Sequence, residues 1–485
     1  MNIALTMMLL YFAVTIVIGL YYGRKETKTS EDFMVGGRRF SLIIVLLCML
    51  ATYIGAGTTI GTTSWVWTRG LSQAWFTIGQ TIVFAFIGLF LAGKIQQMGM
   101  RAGIYTVADF VELRYNKASR YLTGALMWFA FMAITAFQYM GMGRIIETIV
   151  GIPYNYAVVL CAVVTIFYTS WGGLWSVAIT EVFQGCLTVL GVAVMAPIVL
   201  AKAGGFSGIM AAVPPEHFSF TGYVTPGQAL TWFMVFFLGV IPMQDWWQRS
   251  FAAKDKRAAS KGIAYMALGF VFVELCIFVI GFAGKVLLPD IAQSEQLFPI
   301  MVVKYLNPWI GGVVLACLVS IIMSTASACL LVPSTHFVRD LWQGVLRPQA
   351  SDEELLKVSK LATFIFGIAV LIFVFAAPSM FDIWVISADI LGAVLGLPVL
   401  AGFFVPRVGR NAGFAGMLAG FIGWLIGYLG WAPLGFGPVM IGGIFSLIAL
   451  LIGAIIFPGI ERTTLIHLGF IEEFSVKQKQ DTSLS

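Results

Sequence analysis

Residues 51–61 read ATYIGAGTTIG, and residues 239–249 read GVIPMQDWWQR. Each stretch interrupts an apolar segment, the first with three glycines and three threonines, the second with Gly239 and Pro242 just before Asp245. Either interruption alone is explained by packing, because glycine lets membrane helices approach closely and proline only kinks them. Their spacing along the chain favours a second interpretation, in which both helices are broken around a common site.

The composition is that of a membrane protein. Hydrophobic residues make up 59% of the 485-residue chain, charged residues 11%, and the mean hydropathy is +0.92. A water-soluble protein of this length needs far more polar surface. Apolar runs long enough to cross roughly 30 Å of hydrocarbon predict about thirteen spans, near residues 3–22, 41–68, 72–97, 121–148, 154–171, 177–201, 228–248, 262–288, 308–334, 360–378, 381–404, 412–431 and 438–458.

The two interruptions fall in the second and seventh predicted spans, five spans apart. Because five is odd, the two five-helix blocks must be inverted relative to each other, as in transporters with discontinuous helices around a central site. We therefore expect an all-α polytopic fold with a 5+5 inverted repeat whose first helices are both broken. The expected parts are an N-terminal extra helix and cytoplasmic loop (1–40), a first five-helix repeat (41–201), an external loop (202–227), a second five-helix repeat (228–404), two C-terminal extra helices (405–458) and a cytoplasmic tail (459–485).

Basic residues predict the orientation, because cytoplasmic loops are enriched in Lys and Arg. Most of the 29 such residues fall in alternate predicted loops, and the opposite side holds only Arg69, Arg144, Lys202, Lys285 and Lys304. The N-terminus is then outside and the C-terminus inside, as a multi-pass protein of the cell membrane, expected to be a bacterial inner membrane. The net charge of +6 lies in the cytoplasmic loops and needs no nucleic acid. Residues 105–120 predict a short amphipathic helix on the cytoplasmic surface, and the final KQKQDTSLS predicts disorder.

Nothing in the chain predicts an enzyme. All six cysteines fall inside predicted spans without a CxxC pattern, so packing is their expected role. The three histidines, His217, His336 and His467, lie in loops or at helix ends. A membrane-embedded transferase would need His, Asp or Cys converging at an interface, and this sequence brings no histidine near an intramembrane acid.

Hydroxyl groups cluster in residues 320–327, SIIMSTAS, within an uncharged span. Helical spacing places Ser320, Ser324 and Ser327 on one face with Thr325 beside them. A hydroxyl in hydrocarbon needs a partner, so the cluster indicates helix contacts or a bound ion. The alternative is that Ser324 and Thr325 bond back to carbonyls one turn earlier in their own helix.

Several segments together resemble one family. They read DFMVGGRRF at 32–40, ATYIGAGTTIG at 51–61, YTSWGGLWSVAITEVFQG at 168–185, QDWWQRSFAAKDKRAASKG at 244–262 and MSTASACLL at 323–331. In these motifs the chain resembles the sodium:solute symporter family, and the resemblance runs over nearly all of its length. It implies a LeuT-type five-plus-five core with flanking helices and Na⁺ as the coupling ion.

The resemblance also implies ion ligands. Ala51, Ile54 and Ile321 match positions whose carbonyls bind sodium in the family, and Ser324 and Thr325 match positions that add hydroxyls. A neutral oxygen cage suits a monovalent ion that must be released in each cycle.

Some family members have a second sodium site, whose matching positions here are Glu181 and Ser327. A further serine of that pattern is replaced by Ala328, which puts the second site in doubt. Glu181 could instead carry a proton or hydrogen-bond Thr180.

For the solute, family geometry implies contacts from both interrupted helices and from two glutamines on neighbouring spans. The candidates are Tyr53, Gly57, Thr58, Thr62, Gln80, Gln138, Met243, Gln244, Asp245 and Trp247. Sugar-transporting members carry a Glu-Gln pair where this chain has Gly57 and Thr58, which argues against a hexose.

The chemistry of the solute stays open on sequence alone. Asp245 with Tyr53, Trp246 and Trp247 could form an aromatic, acidic cage for an organic cation. The interpretation we favour is that Asp245 forms an ion pair with Arg249 one turn later. Arg144 could equally receive a carboxylate.

The expected function is Na⁺-coupled uptake of a small organic solute by alternating access. A proton-coupled or facilitative carrier, with Glu181 or Asp245 titrating, is the alternative, and a membrane-embedded sensor is a weaker one. The expected partners are the solute and the lipid bilayer, without nucleic acid, for a monomer or weak homo-oligomer.

Overall fold

The protein is described here by a computed structural model over residues 3–376 and 380–460, without the side chains of residues 380–384. Helices dominate this part of the chain, and its β-structure is a single bridge between Phe40 and Ala253. The helices of the first half are α1 (Ile3–Glu26), α2 (Ser30–Val35), α3 (Leu42–Tyr53), α4 (Thr62–Arg69), α5 (Ala74–Phe86), α6 (Ala92–Ala102), α7 (Val107–Arg114), α8 (Lys117–Val150), α9 (Tyr154–Lys202) and α10 (Gly205–Ala212).

The second half repeats this all-helical pattern. Its helices are α11 (Pro226–Val240), α12 (Gln244–Ala252), α13 (Lys256–Leu287), α14 (Leu297–Tyr305), α15 (Pro308–His336), α16 (Asp352–Ala376), α17 (Met380–Leu391), α18 (Leu397–Phe404), α19 (Arg410–Tyr428) and α20 (Pro438–Ile456). Wider π-helical turns occupy Gly57–Gly61, Ile87–Leu91, Phe337–Leu346 and Gly392–Gly396. Short 3₁₀ turns occupy Gly36–Arg38, Gly70–Gln73, Pro215–Phe218, Ser294–Gln296 and Pro433–Gly435.

The two predicted helix breaks are present. α3 ends at Tyr53, and the chain resumes helical geometry at Ala56, so the first break is two residues long, Ile54 and Gly55. The second separates α11 from α12, whose axes differ by 42°. Both breaks lie where Gly or Pro weakens the helix, as the sequence indicated.

Ten helices in the described residues are long and apolar enough to cross a membrane, and the bent pair α11–α12 would make eleven. The predicted count of thirteen therefore stays a prediction. Two causes account for the difference. α3 has only 12 residues before its break, and α9 is one continuous element of 49 residues.

A straight helix with the 49 residues of α9 would be about 74 Å long at 1.5 Å per residue, more than twice the hydrocarbon thickness. At Gly173 its backbone leaves the helical region, with φ 55° and ψ −143°. Tyr168, before this point, packs on Gly19 of α1, and Ser176, after it, donates a hydrogen bond to the Gly19 carbonyl. Residues on both sides of Gly173 therefore contact the same residue of α1, Gly19. The chain reverses direction at Gly173, and α9 consists of two helical segments.

α15 is the most enclosed of the long helices. Protein buries 89% of its apolar window, against 28% for α1 and 33% for α16. It packs against α1, α8 and α9. Its hydroxyls are therefore shielded from lipid and must find partners inside the protein.

We expected an amphipathic helix on the membrane surface at residues 105–120. A helix does form there, but the prediction that it lies on the surface is wrong. α7 forms there with a Thr106 capping box, but most of its side chains are buried. Arg114 is fully buried and donates to the carbonyls of Gly402 and Val405. α7 is thus packed inside one end of the helix bundle and is not a membrane-surface element.

Ion pairs fasten this end. Arg120 pairs with Asp109 at 3.0 Å, with Asp340 at 2.8 Å and also with Glu112. Arg339 reaches Asp109 at 3.3 Å. The network joins α7, α8 and the π-helical extension of α15. The predicted disordered tail falls in residues 461–485, outside the described residues.

Candidate ion and solute site

The first helix break exposes carbonyls that α15 satisfies. A helix end leaves its last carbonyls without partners, and at Ile54 the backbone turns away with φ −99° and ψ 89°. The Ser324 hydroxyl lies 2.7 Å from the Ala51 carbonyl and 2.7 Å from the Ile321 carbonyl. The Thr325 hydroxyl lies 2.8 Å from the Thr52 carbonyl. Hydroxyls from one helix thus meet the carbonyls at the end of another.

Gln138 explains why the Thr52 carbonyl has no backbone partner in its own helix. In an unbroken helix the Ala56 N–H would bond to the Thr52 carbonyl, but it donates instead to the Gln138 side-chain oxygen at 2.9 Å. α8 therefore holds the broken segment open from the other side.

The structure brings together four of the five predicted sodium ligands. Ala51, Ile321, Ser324 and Thr325 form one buried, hydrogen-bonded cluster, while the Ile54 carbonyl makes none of these contacts. The Thr52 carbonyl, which the sequence did not single out, contributes in addition. Back-bonding of Ser324 to Ile321 occurs alongside the contacts between helices, so both interpretations of the hydroxyls apply.

The donor set fits Na⁺. Carbonyl and hydroxyl oxygens are hard, neutral ligands, and a hydroxyl can turn its hydrogen away to offer a lone pair. Ser324 is fully buried and Thr325 is 7% exposed, so an ion here would be shielded from bulk water and lipid.

A buried charge pair lies beside this cluster. Arg249 contacts Glu181 at 2.7 Å with both side chains fully buried, and Thr52 donates to the same Glu181 oxygen at 2.8 Å. The expected ion pair between Asp245 and Arg249 is wrong. The guanidinium reaches only the Asp245 backbone carbonyl, at 3.2 Å, because the Glu181 carboxylate approaches from α9, a partner that local spacing does not reveal.

The two residues of the possible second cation site are not joined by a hydrogen bond. Glu181 is occupied by Arg249 and Thr52, whereas the Ser327 hydroxyl donates to the Ser324 carbonyl at 2.9 Å. Thr180 bonds back to Ser176 and Val177 and not to Glu181. The assignment of Glu181 and Ser327 to a second site stays a prediction.

A central cavity opens beside the ion cluster. Counted together with its opening, it contains about 500 Å³ of space free of atoms. Seven predicted solute contacts line it: Tyr53, Gly57, Thr58, Gln80, Gln138, Met243 and Asp245. The other lining residues are Thr52, Gly55, Phe131, Ile134, Phe236, Val240, Thr325 and Cys329.

Three predicted contacts do not line this cavity. Thr62 lines a neighbouring crevice instead. Gln244 points toward α7, where it accepts from the Val107 N–H at 2.7 Å and donates to the Tyr105 carbonyl at 2.9 Å. Trp247 donates its indole N–H to the Ile241 carbonyl at 3.0 Å. Gln244 and Trp247 satisfy backbone groups left free by helix ends, which a linear motif does not show.

The proposed aromatic cage is also wrong. Trp246 donates to the Val240 carbonyl at 2.7 Å, and neither indole lines the cavity. Asp245 is held by the Tyr53 hydroxyl at 2.9 Å and is the one charged residue among the described residues of the lining. Arg144 pairs with Glu147 at 2.9 Å on a partly exposed surface and does not reach the cavity.

Apolar lining residues were missed for a simple reason. Phe131, Ile134, Phe236, Val240 and Cys329 occur in spans where such residues are common. No signal in a single sequence separates those facing a cavity from those facing lipid.

Known structures define the fold. The fold matches a Na⁺-coupled sialic acid symporter, with a TM-score of 0.82 and 21% identity over 95% of this chain and 99% of that one. A nucleobase-cation-symport-1 family transporter matches with a TM-score of 0.60 and 13% identity, over 90% and 98% of the two chains. The chain has the LeuT-type fold of secondary transporters.

The sequence fits the model of the sodium:solute symporter family over residues 33–420, and the chain belongs to that family. It is 25% identical to the sodium/pantothenate symporter of Escherichia coli K12, over 91% of this chain and 94% of the relative. It is 28% identical to the sodium/proline symporter of Staphylococcus aureus JH9, over 75% and 73%. The protein is a multi-pass, Na⁺-coupled secondary transporter of a small organic solute and not an enzyme.

Proposed function

We propose that Na⁺ binds between the end of α3 and the middle of α15, and that this binding shapes the adjoining cavity for an organic solute. The ligands are the carbonyls of Ala51, Ile54 and Ile321 with the hydroxyls of Ser324 and Thr325. One observation carries the proposal: Thr325 both contacts the Thr52 carbonyl and lines the cavity. The ion and the solute then share a wall.

Because Thr325 belongs to both sites, it couples sodium binding to solute binding. Without an ion, the two hydroxyls hold the carbonyls of α3 by hydrogen bonds. An ion that draws the same oxygens together fixes α3 against α15 and so fixes the cavity side of Thr325. Solute binding and ion binding then stabilise the same arrangement, and both ligands are released when it opens inward.

The driving force suffices for uptake. A membrane potential of about 100 mV contributes roughly 2.3 kcal/mol per charge, and a tenfold sodium gradient adds about 1.4 kcal/mol. Their sum of about 3.7 kcal/mol supports about 500-fold accumulation of a neutral solute per ion.

The cavity favours a solute with an N–H or ammonium group directed at Asp245. That carboxylate already accepts from Tyr53 and has acceptor capacity left for a ligand. No Lys or Arg is among the described lining residues, so the chain itself offers no cation to a solute carboxylate. Phe131, Ile134 and Phe236 provide apolar contact for the rest of the molecule. Proline and pantothenate, the solutes of the two relatives, both contain nitrogen donors.

The orientation follows from the basic loops: N-terminus outside, C-terminus cytoplasmic, in a bacterial cell membrane. Residues 41–201 and 228–404 form the two inverted repeats. The protein works as a monomer or weak homo-oligomer without nucleic acid.

The test is uptake into proteoliposomes of purified protein, with radiolabelled proline, pantothenate and other amino acids and carboxylates as probes. Uptake of one probe should require an inward Na⁺ gradient and stop when N-methylglucamine replaces Na⁺. Asp245→Asn should raise the KM for that probe at least about tenfold, since it removes a charged hydrogen-bond partner. Uptake driven equally by a proton gradient without Na⁺ would contradict the proposal.

A further inference from the structure

A buried acid that the sequence analysis passed over lies next to the transport cavity. Glu274 of α13 is 3% exposed. Its carboxylate accepts one hydrogen bond, from the Thr77 hydroxyl at 2.9 Å. Among the described residues, no Lys, Arg or His forms an ion pair with it. Acids inside a membrane protein are costly and mark ion or substrate paths unless paired.

Glu274 lines a crevice that continues from the cavity. The crevice and the cavity share Gly57, Thr58, Gln80 and Phe236. It extends past Thr62 toward Gln73, on the side where Arg69 lies. In the proposed orientation, on which this inference rests, that is the outer mouth of the transport path.

A second observation indicates a ligand in this crevice. Gln73 is 2% exposed, and its side-chain oxygen is buried without a hydrogen-bond partner. Such an oxygen costs free energy unless something binds it. The lining thus combines one carboxylate with amide and hydroxyl oxygens of Gln73, Gln80, Thr58, Thr62 and Thr77. Every one of these groups can act as an acceptor.

We propose that this crevice is a second sodium site, in which Glu274 supplies the charge and Gln73 and Thr77 supply neutral oxygens. A monovalent ion neutralises the single carboxylate, whereas a divalent ion would leave an excess charge in a low-dielectric environment. The enclosed part of the crevice has room for about one water-sized particle, which favours an ion over an organic cation. An ion bound here stands at the entrance through which solute and sodium pass.

The experiment is equilibrium binding of radioactive sodium to the purified full-length chain in detergent, with N-methylglucamine keeping ionic strength constant. The wild type should bind two Na⁺ per chain and Glu274→Gln one. Ser324→Ala combined with Thr325→Ala should also bind one, because it removes only the site between α3 and α15. Glu147→Gln, which removes a partly exposed acid that pairs with Arg144, should still bind two.

The results separate the two claims. If Glu274→Gln binds as much sodium as the wild type, or the wild type binds only one ion and Glu274→Gln keeps it, the crevice site is wrong. If the Ser324/Thr325 variant keeps all its sodium, the site in the proposed function is wrong instead. Should Glu274→Gln fail to fold, Thr77→Val and Gln73→Leu replace it. Each should weaken one of the two binding steps roughly tenfold, and unchanged binding in both would overturn the inference.

Discussion

Both helix breaks leave backbone carbonyls without a partner in their own helix, and different side-chain donors satisfy them. At the first, between α3 and the turn at Gly57, the freed carbonyls of Ala51 and Thr52 are held by hydroxyls. At the second, between α11 and α12, the freed carbonyls of Val240 and Ile241 are held by the indoles of Trp246 and Trp247.

The chemistry of these donors differs in one respect. A hydroxyl is both donor and acceptor, so it can rotate and become a cation ligand together with the carbonyl it held. An indole N–H only donates, so it cannot turn to coordinate a cation beside the carbonyl that it holds. The first break is therefore suited to bind and release an ion, and the second to stay fixed. This difference between the two breaks is the asymmetry that the following experiments test.

The largest expected effect concerns the bridge between the breaks, formed by Thr52, Glu181 and Arg249. Arg249→Met leaves the Glu181 carboxylate buried without its cation, and we expect a loss of about 3–5 kcal/mol of folding stability. Thermal melting in detergent should show it. Adding Glu181→Gln should recover part of the loss, since the uncompensated charge is gone.

Arg144→Met is the matched control for this prediction. It removes an arginine from a partly exposed pair, and such pairs contribute about 0–1 kcal/mol. If the Glu181→Gln/Arg249→Met protein melts no higher than Arg249→Met alone, the buried charge is not the source of the instability.

The next effect probes the first break directly. A methyl group on Gly55 would lie 2.7 Å from the Thr325 hydroxyl oxygen and 2.9 Å from the Gln138 side-chain oxygen. Gly55→Ala must push these groups aside at a cost of about 1–3 kcal/mol, and we expect sodium affinity to fall about tenfold. Gly124→Ala, whose added methyl would meet nothing closer than 3.7 Å, should bind sodium normally. Equal sodium affinity in the two variants would show that Thr325 does not bind the ion.

The smallest expected effect on sodium binding comes from changes at the second break. Trp247→Phe removes the indole donor to the Ile241 carbonyl and should lower stability by about 1–3 kcal/mol. Trp246→Phe should cost less, because the Val240 carbonyl keeps the Met243 N–H at 3.0 Å. Neither should change the sodium dissociation constant in a binding assay. A large change in sodium affinity would mean that the second break takes part in ion binding.

The local features of this site can be predicted from the sequence, whereas its long-range partners cannot. Gly55, Gly57 and Pro242 reveal the breaks because they weaken helices wherever they occur, and Ser324 with Thr325 is visible as a hydroxyl pair in an apolar span. The contact between Thr52 and Glu181 spans 129 positions, and periodicity carries no trace of it.

The direction in which a side chain points was the other feature that the sequence could not predict. The motif places Gln244 and Trp247 beside Asp245, and only the fold shows that both turn to backbone groups instead. Glu274 escaped notice for a related reason. One acid in an apolar span has no motif, and its meaning depends on Gln73 and Thr77, which the fold brings to the same crevice.

The most direct test of the asymmetry between the breaks is the shift in melting temperature that NaCl causes relative to equimolar KCl or N-methylglucamine chloride. The shift is the readout because Ser324→Ala with Thr325→Ala also lowers the melting temperature itself by removing hydrogen bonds. At a hundred times its dissociation constant, an ion that binds only the folded state stabilises by about 2.7 kcal/mol. We predict a sodium-specific shift in the wild type and in Trp247→Phe that is largely lost in the Ser324/Thr325 variant. A full sodium shift in that variant would contradict the account.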